Sequence, residues 1–455
     1  MPLGVRDMAI YAVLSAALAL IPFLIFYPGL WTNDSVGRWS DAYHLVEAHG
    51  LAEMYLSDWF PPMMTLAMAA SLKLTGTVTV FTYLQYWLVA AAAMTGGHAL
   101  GGGWRSGAII GTAVGFMPGV FESAALVMPD PWTAAAIAVA AAGLVLDPRG
   151  RAAAVAFRLF LLAADAVLLG FRANSILLLA VLLILSFLVV GNRVRRAWYC
   201  GILIAALIFD LGLAHLRFIH HIDVVAPILL WEITCTLKVL NDPSITAQYA
   251  MPDLGDMSAA VAATDFWVQD VLYWRPGHPF TPEGALAHSD AIRSTWWLLV
   301  TTHPLAYLEA KLRIWRWLAG FHFVDRPFAF LTQQAGANPA LNALMHLDPA
   351  GNPDRGLGSV GQWIDRLDHR LPDGLYSPWR TTILAIGAAA VTWGLGGHWR
   401  TAALFCLVGM AYYAAFFVIS PGFQLRYFFP CQFLYAIVAV AAATCVADAG
   451  VRWLR

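Results

Sequence analysis

Charge is what this chain has least of. Asp, Glu, Lys and Arg make up 12% of its 455 residues, against about a quarter in an ordinary soluble domain. Hydrophobic residues make up 60%, more than a water-soluble fold of this size can hide. The net charge is -1 and no basic block is long enough to grip nucleic acid. Cysteine is also scarce. Cys200, Cys235, Cys406, Cys431 and Cys445 are scattered, with no C-x-x-C pair, which argues against a disulfide framework or a zinc site. A Walker loop, a G-x-S-x-G elbow and an H-E-x-x-H pair are missing, and with them their nucleotide, serine-esterase and metalloprotease chemistries. D-x-D is missing too, which leans against metal–nucleotide sugar transfer.

Long apolar runs are what the chain does have. A bilayer core offers no hydrogen bonds, so each crossing segment must be a helix of about 20 residues. The runs place spans at 8–28, 77–98, 106–123, 131–146, 152–170, 174–191, 198–216, 379–396, 401–419 and 425–447. The expected fold is therefore an all-α, polytopic transmembrane bundle of about ten spans. A short run at 61–74, and helices at 291–300 or 305–321, would raise the count to about 12 if they also crossed. The first run ends in FYPGLWTNDS with no small-residue cleavage site, so it reads as a retained helix rather than a signal peptide.

Basic residues orient the bundle. With the N-terminus inside, the inner turns carry Arg6, Arg105, Arg149, Arg151, Arg193, Arg195, Arg196, Arg400, Arg452 and Arg455, while the short outer turns carry Glu122 and Asp130. That pattern obeys the positive-inside rule and puts both termini in the cytoplasm. Three parts follow. Residues 1–216 form an N-terminal membrane module with an outer first loop, 29–76. Residues 217–378 form a larger, mostly helical outer segment, and 379–455 close the bundle. Within the outer segment, HPLAYLEAKLRIWRWLAGF has the basic and aromatic make-up of a helix lying on the membrane, with Lys311, Arg313 and Arg316 meeting head groups. The 19 tryptophans read first as interfacial belts and second as sugar-stacking surfaces.

The chemistry-bearing residues collect at predicted outer helix ends. Asp34 follows the first span in WTNDSVGRWSDAYHLVEA, an amphipathic helix with Val36, Trp39, Tyr43 and Val46 on one side. Asn33, Asp34 or Ser35 can cap that helix, and a cap is the plain explanation of Asp34. Asp130 in MPDPW has the same plain explanation, a cap with proline next. Asp41 and Asp58 share the first loop. Arg172 and Arg426 lie at outer ends, against the positive-inside trend, where snorkelling competes with a phosphate contact as their reason to be there. Lys73 is a further outer cation. Asp165 and Asp210 fall inside spans, where charge is expensive, and Arg158 lies at helical spacing from Asp165. His220, His221 and Asp223 have the look of a metal cluster, but the spacing is common and the histidines read as structural; His278 and His303 stay open.

These motifs, in order, resemble the GT-C superfamily of membrane glycosyltransferases, which includes the protein O-mannosyltransferases and the bacterial lipid-A aminoarabinose transferases. The resemblance rests on the outer first loop with Asp34 and DWFPP, on MPDPW (128–132), FRANS (171–175), HPLAYLEAKL (303–312) and PGFQLRYFFP (421–430). One departure is DSVGRW, where related bacterial families have DS-x-x-Q-W.

The resemblance implies a polyprenyl-phosphate sugar donor and chemistry at the periplasmic face of a bacterial inner membrane. The acceptor would be a glycan, a lipid or a protein. Asp34 would be the base and Asp130 a second catalytic carboxylate. Arg172, Arg426 and Lys73 would hold the donor phosphate, and Asn174, Asp58, Tyr427 and His303 would touch substrate. It leaves a divalent cation, Mg or Mn, open, since some members use one and others do not. The competing reading is a transporter or lipid flippase, which usually shows repeats, broken helices and ionisable groups near the midplane. A non-catalytic assembly scaffold is the third.

Overall fold

The computed structural model describes the chain except residues 27–28, 50–52, 55, 58–60, 173, 217, 221, 275–276, 322–365, 367–369, 371–376, 419–424 and 455. Nineteen α-helices run through the described residues. The helices are α1 (Val5–Ile25), α2 (Asn33–Glu47), α3 (Pro62–Thr75), α4 (Thr79–Gly101), α5 (Trp104–Gly115), α6 (Pro118–Ser123), α7 (Pro129–Gly143), α8 (Arg151–Phe171), α9 (Ser175–Val189) and α10 (Arg193–Ala214). There follow α11 (Val225–Leu240), α12 (Pro243–Gln248), α13 (Met257–Ala263), α14 (Pro282–Ala287), α15 (Ser289–Thr302), α16 (Pro304–Leu318), α17 (Pro378–Gly394), α18 (Trp399–Val418) and α19 (Leu425–Leu454).

The described residues are mostly helical, as expected, with four two-residue strands besides. Among the described residues five helices are long and apolar enough to cross a membrane: α1, α8, α10, α18 and the stretch Arg426–Val451 of α19. Helix α9 is a shorter apolar one. Their outer faces stay apolar where no protein covers them, as at Ile184, Phe187 and Leu188 on α9 and Ile204, Ile208 and Phe209 on α10. Water would not leave such faces bare in a soluble protein.

The run at 106–123 is not one helix. It breaks at Met117, where Pro118 starts the six-residue α6. Proline suits a first helical turn and cannot continue a helix. Helix α7 is buried along its whole length, Pro129 to Gly143. It is almost all small and apolar, so neighbours pack on every side: α4, α8, α18 and α19 surround it.

Two large hydrophobic cores form among the described residues, with a small third cluster of Leu45, Leu56 and Ile219. The larger combines helices of 1–216 with those of 378–454, and the smaller lies within 226–318. A pair of two-residue parallel strands ties the first loop to the start of the second segment: β2 (Leu56–Ser57) pairs with β4 (Ile219–His220). Another, β1 (Pro2–Leu3) with β3 (Asp147–Pro148), holds the chain start against the α7–α8 turn.

Candidate active site

Position comes first from two helix starts. Helix α2 is capped by Thr32, whose side chain accepts from the Ser35 amide while Ser35 answers back to the Thr32 amide. Thr32 therefore does the capping expected of Asn33, Asp34 or Ser35. Asp34 lies in the first turn instead, where a carboxylate suits the helix dipole. The chain enters α2 through Gly29, whose φ of 122° is positive. A Cβ there would lie 2.5 Å from Val127 Cγ2. Leu30 bridges to Leu126, and the Ser35 hydroxyl donates to the Val127 carbonyl. These contacts seat the start of α2 beside the start of α7.

Helix α7 begins after Met128, which has no capping side chain, with Pro129 and Asp130 in its first turn. Asp130 is likewise not a cap. It is buried, and Arg172, the residue that ends α8, forms an ion pair with its Oδ1. Arg426, at the start of α19, donates from Nη1 to Asp34 Oδ2 at 2.7 Å, joining residues 392 apart in sequence. Tyr427 lies close to both cations. The Arg172 and Arg426 guanidinium carbons lie 5.0 and 5.2 Å from its ring centre. Phe416 of α18 stacks on that ring, 5.0 Å away and 12° from parallel. Asn174 sits beside the Tyr412 hydroxyl, next to Arg172.

A third guanidinium belongs to the cluster. Arg38 is one helical turn after Asp34 on α2, is 3% exposed, and reaches the Pro61 carbonyl at 3.5 Å. Burial pushes it down to about 9, helped by the Arg172 and Arg426 charges and opposed by Asp34 and Asp130. It remains a cation at neutral pH. Burial alone would raise the Asp34 carboxyl, but the Arg426 charge and hydrogen bond, with Arg38 and Arg172 behind them, hold it below the usual carboxylate value. The sequence signal for Arg38 was its i,i+4 spacing from Asp34, in a helix whose amphipathic pattern suggested a solvated polar face.

The cluster is cationic and incompletely bonded. Asp130 Oδ2, Arg172 Nε and Arg426 Nε are buried without a hydrogen-bond partner among the described residues. Burying such atoms costs about 1–3 kcal/mol each; the two guanidinium Nε donors favour an oxygen-rich anion, and the Asp130 oxygen favours a donor such as a hydroxyl. Both carboxylates face guanidinium groups, and among the described residues no group of three His, Cys, Asp or Glu side chains gathers. That donor set does not fit a divalent cation.

The other candidates fall elsewhere. Lys73 is exposed in the last turn of α3, where it faces a helix C-terminus. His303 joins α15 to α16, with its ring edge-on to Tyr249 of the smaller core at 6.0 Å. Neither joins the arginine cluster. Asp58 and His221 lie outside the described residues. Asp223 pairs with Arg293, at 2.7 Å for each of two bonds. Asp165 is fully buried, and neither oxygen finds a hydrogen-bond partner among the described residues. Arg158 does not pair with it but lies over Trp198 at 5.0 Å. Lys311 is buried against Glu232 rather than set among head groups. No family model, curated protein or solved structure matches this chain.

Proposed function

We propose that this chain is an inverting membrane glycosyltransferase of the GT-C kind. It would move a sugar from a polyprenyl-phosphate donor to an acceptor hydroxyl of a glycan, lipid or protein. The observation that carries this reading is the meeting of two carboxylate–arginine pairs, Asp34–Arg426 and Asp130–Arg172, around one tyrosine ring. About ten spans, with both termini inside a bacterial inner membrane, put this cluster at the periplasmic face under the positive-inside rule.

The chemistry follows from the residues. The donor phosphate draws Arg426 from Asp34 and joins Arg172 over Tyr427. Asp34, released, accepts the acceptor's hydroxyl proton as that oxygen bonds to the anomeric carbon. The anomeric carbon–oxygen bond breaks, and its electron pair leaves on the phosphate, whose added charge the guanidinium groups stabilise. Attack opposite the leaving group inverts the sugar. Asp130 fixes Arg172 and orients the sugar.

One observation favours a transporter instead: Asp165, a bare carboxyl inside an apolar span. Purified protein in lipid nanodiscs, given synthetic polyprenyl-phosphate sugars and candidate acceptors, separates the two. Transfer that is lost in Asp34→Asn supports the transferase. No transfer, together with substrate uptake into proteoliposomes that depends on Asp165, replaces it with the transporter.

A further inference from the structure

The smaller core reaches the larger at the last turn of α18, and the contact is polar. Lys311 of α16 donates to the Val418 carbonyl at 3.3 Å, and the Trp315 indole donates to the Phe417 carbonyl at 2.7 Å. Going the other way, the Tyr413 hydroxyl donates to the Leu318 carbonyl at 2.6 Å. Phe417 and Val418 carry two of the four carbonyls that a helix end leaves without internal partners. A cation there also suits the negative end of the helix dipole.

Lys311 itself is fixed. Glu232 of α11 accepts from it, from the Trp296 indole at 2.9 Å and from the Tyr307 hydroxyl at 3.0 Å. The ammonium has little freedom to leave the helix end. Phe416, one residue before the clamped pair, is the ring stacked under Tyr427. Tyr427 in turn carries both guanidinium groups of the candidate site. A continuous chain of contacts therefore runs from Glu232 through Lys311 and the end of α18 to the arginines.

We propose that Lys311 and Trp315 are positioning residues, through which the outer segment holds the Phe416–Tyr427 platform and sets the affinity of the arginine pair for a lipid phosphate. The proposal rests on the glycosyltransferase reading of that pair. It gives the outer segment a role in donor binding that its distance along the chain conceals.

The test uses full-length protein in nanodiscs and polyprenyl phosphate itself as the probe. Lys311→Met combined with Glu232→Gln removes both buried charges at once, so neither is stranded. Trp315→Phe is the second variant; it keeps a ring against Phe417 and loses only the indole N–H. The expected result is a rise of about tenfold in the Kd for polyprenyl phosphate and in the donor KM for the double variant, with acceptor KM unchanged. Trp315→Phe moves the same two constants less, and it carries the test alone if the double variant does not fold. A folded variant in which the donor and acceptor KM rise together overturns the positioning role. Folded variants that bind polyprenyl phosphate as tightly as wild type also overturn it and leave the transferase reading standing. Wild-type protein that binds no polyprenyl phosphate overturns both.

Discussion

Two acid–base pairs in this molecule use the same kind of ion pair and finish it differently. Around Glu232, Lys311, Trp296 and Tyr307 all converge, and the pair keeps only 6% and 4% of side-chain exposure. Around Asp34 the pair with Arg426 keeps 34% and 21%, and buried atoms of Asp130, Arg172 and Arg426 lack partners among the described residues. A satisfied buried network fixes geometry. One left short of partners retains electrostatic capacity for something else. The first cluster reads as a fastening and the second as a binding site, though a list of ion pairs would not separate them.

Mutation of each cluster should break different properties. Asp34→Asn keeps the shape of the side chain and most of its hydrogen bonding, and removes the base. Transfer from the lipid-phosphate sugar should fall by about 10²–10⁴ while the thermal midpoint barely moves. Lys311→Met alone should do the reverse. It strands Glu232 in the smaller core at a cost of about 3–5 kcal/mol, read as a lower midpoint in detergent or nanodiscs. If Asp34→Asn instead unfolds the protein while Lys311→Met only slows transfer, the assignment of the two clusters is inverted.

A third, smaller effect sharpens the site itself. Arg426 holds the Asp34 carboxyl below its usual value against the upward push of burial. The acid limb of kcat/KM, which reports the free protein, should therefore lie below about pH 4. Arg426→Gln removes the main opposing charge and leaves the burial. The carboxyl then rises, and the limb of the residual activity should move to higher pH. A limb that stays in place would mean that another group is the base.

Which parts were legible from sequence follows from the kind of signal each leaves. Arg172 and Arg426 stood out because they break the positive-inside trend, and Asp34 and Asp130 because they flank apolar runs. Helix–helix packing then paired them, which spacing alone does not encode. Arg38 was hidden by its own helix pattern: polar residues on an amphipathic helix suggest solvent, and only the packing of α2 near α7 and α19 turns that face inward. Lys311 and Glu232 are 79 residues apart, with no local pattern to link them, and a lysine on an aromatic helix ordinarily points to lipid. The break of 106–123 at Pro118 was legible, since proline cannot extend a helix, but the apolar composition masked it. Lys73 carries a charge near a helix end and His303 lies within a motif, and neither property fixes where a side chain lies.

The smallest effect concerns an ion pair on the rim, and it calibrates the buried ones. Arg293 donates twice to Asp223, and those hydrogen bonds lead the lowering of the Asp223 carboxyl despite some opposing burial. A carboxyl lowered on folding adds stability above its unfolded value of about pH 4 and loses it as the pH falls through the lower folded value. Arg293 is half exposed, so solvent screening reduces the pair to about 0.2–1 kcal/mol. Arg293→Ala should thus lower the midpoint slightly at pH 7, and the gap from wild type should close as the pH is taken below about 4. It should also shrink with added salt. A deficit that persists in acid and at high salt would show that Arg293 acts through packing of its stem, and that the bidentate geometry alone adds little there.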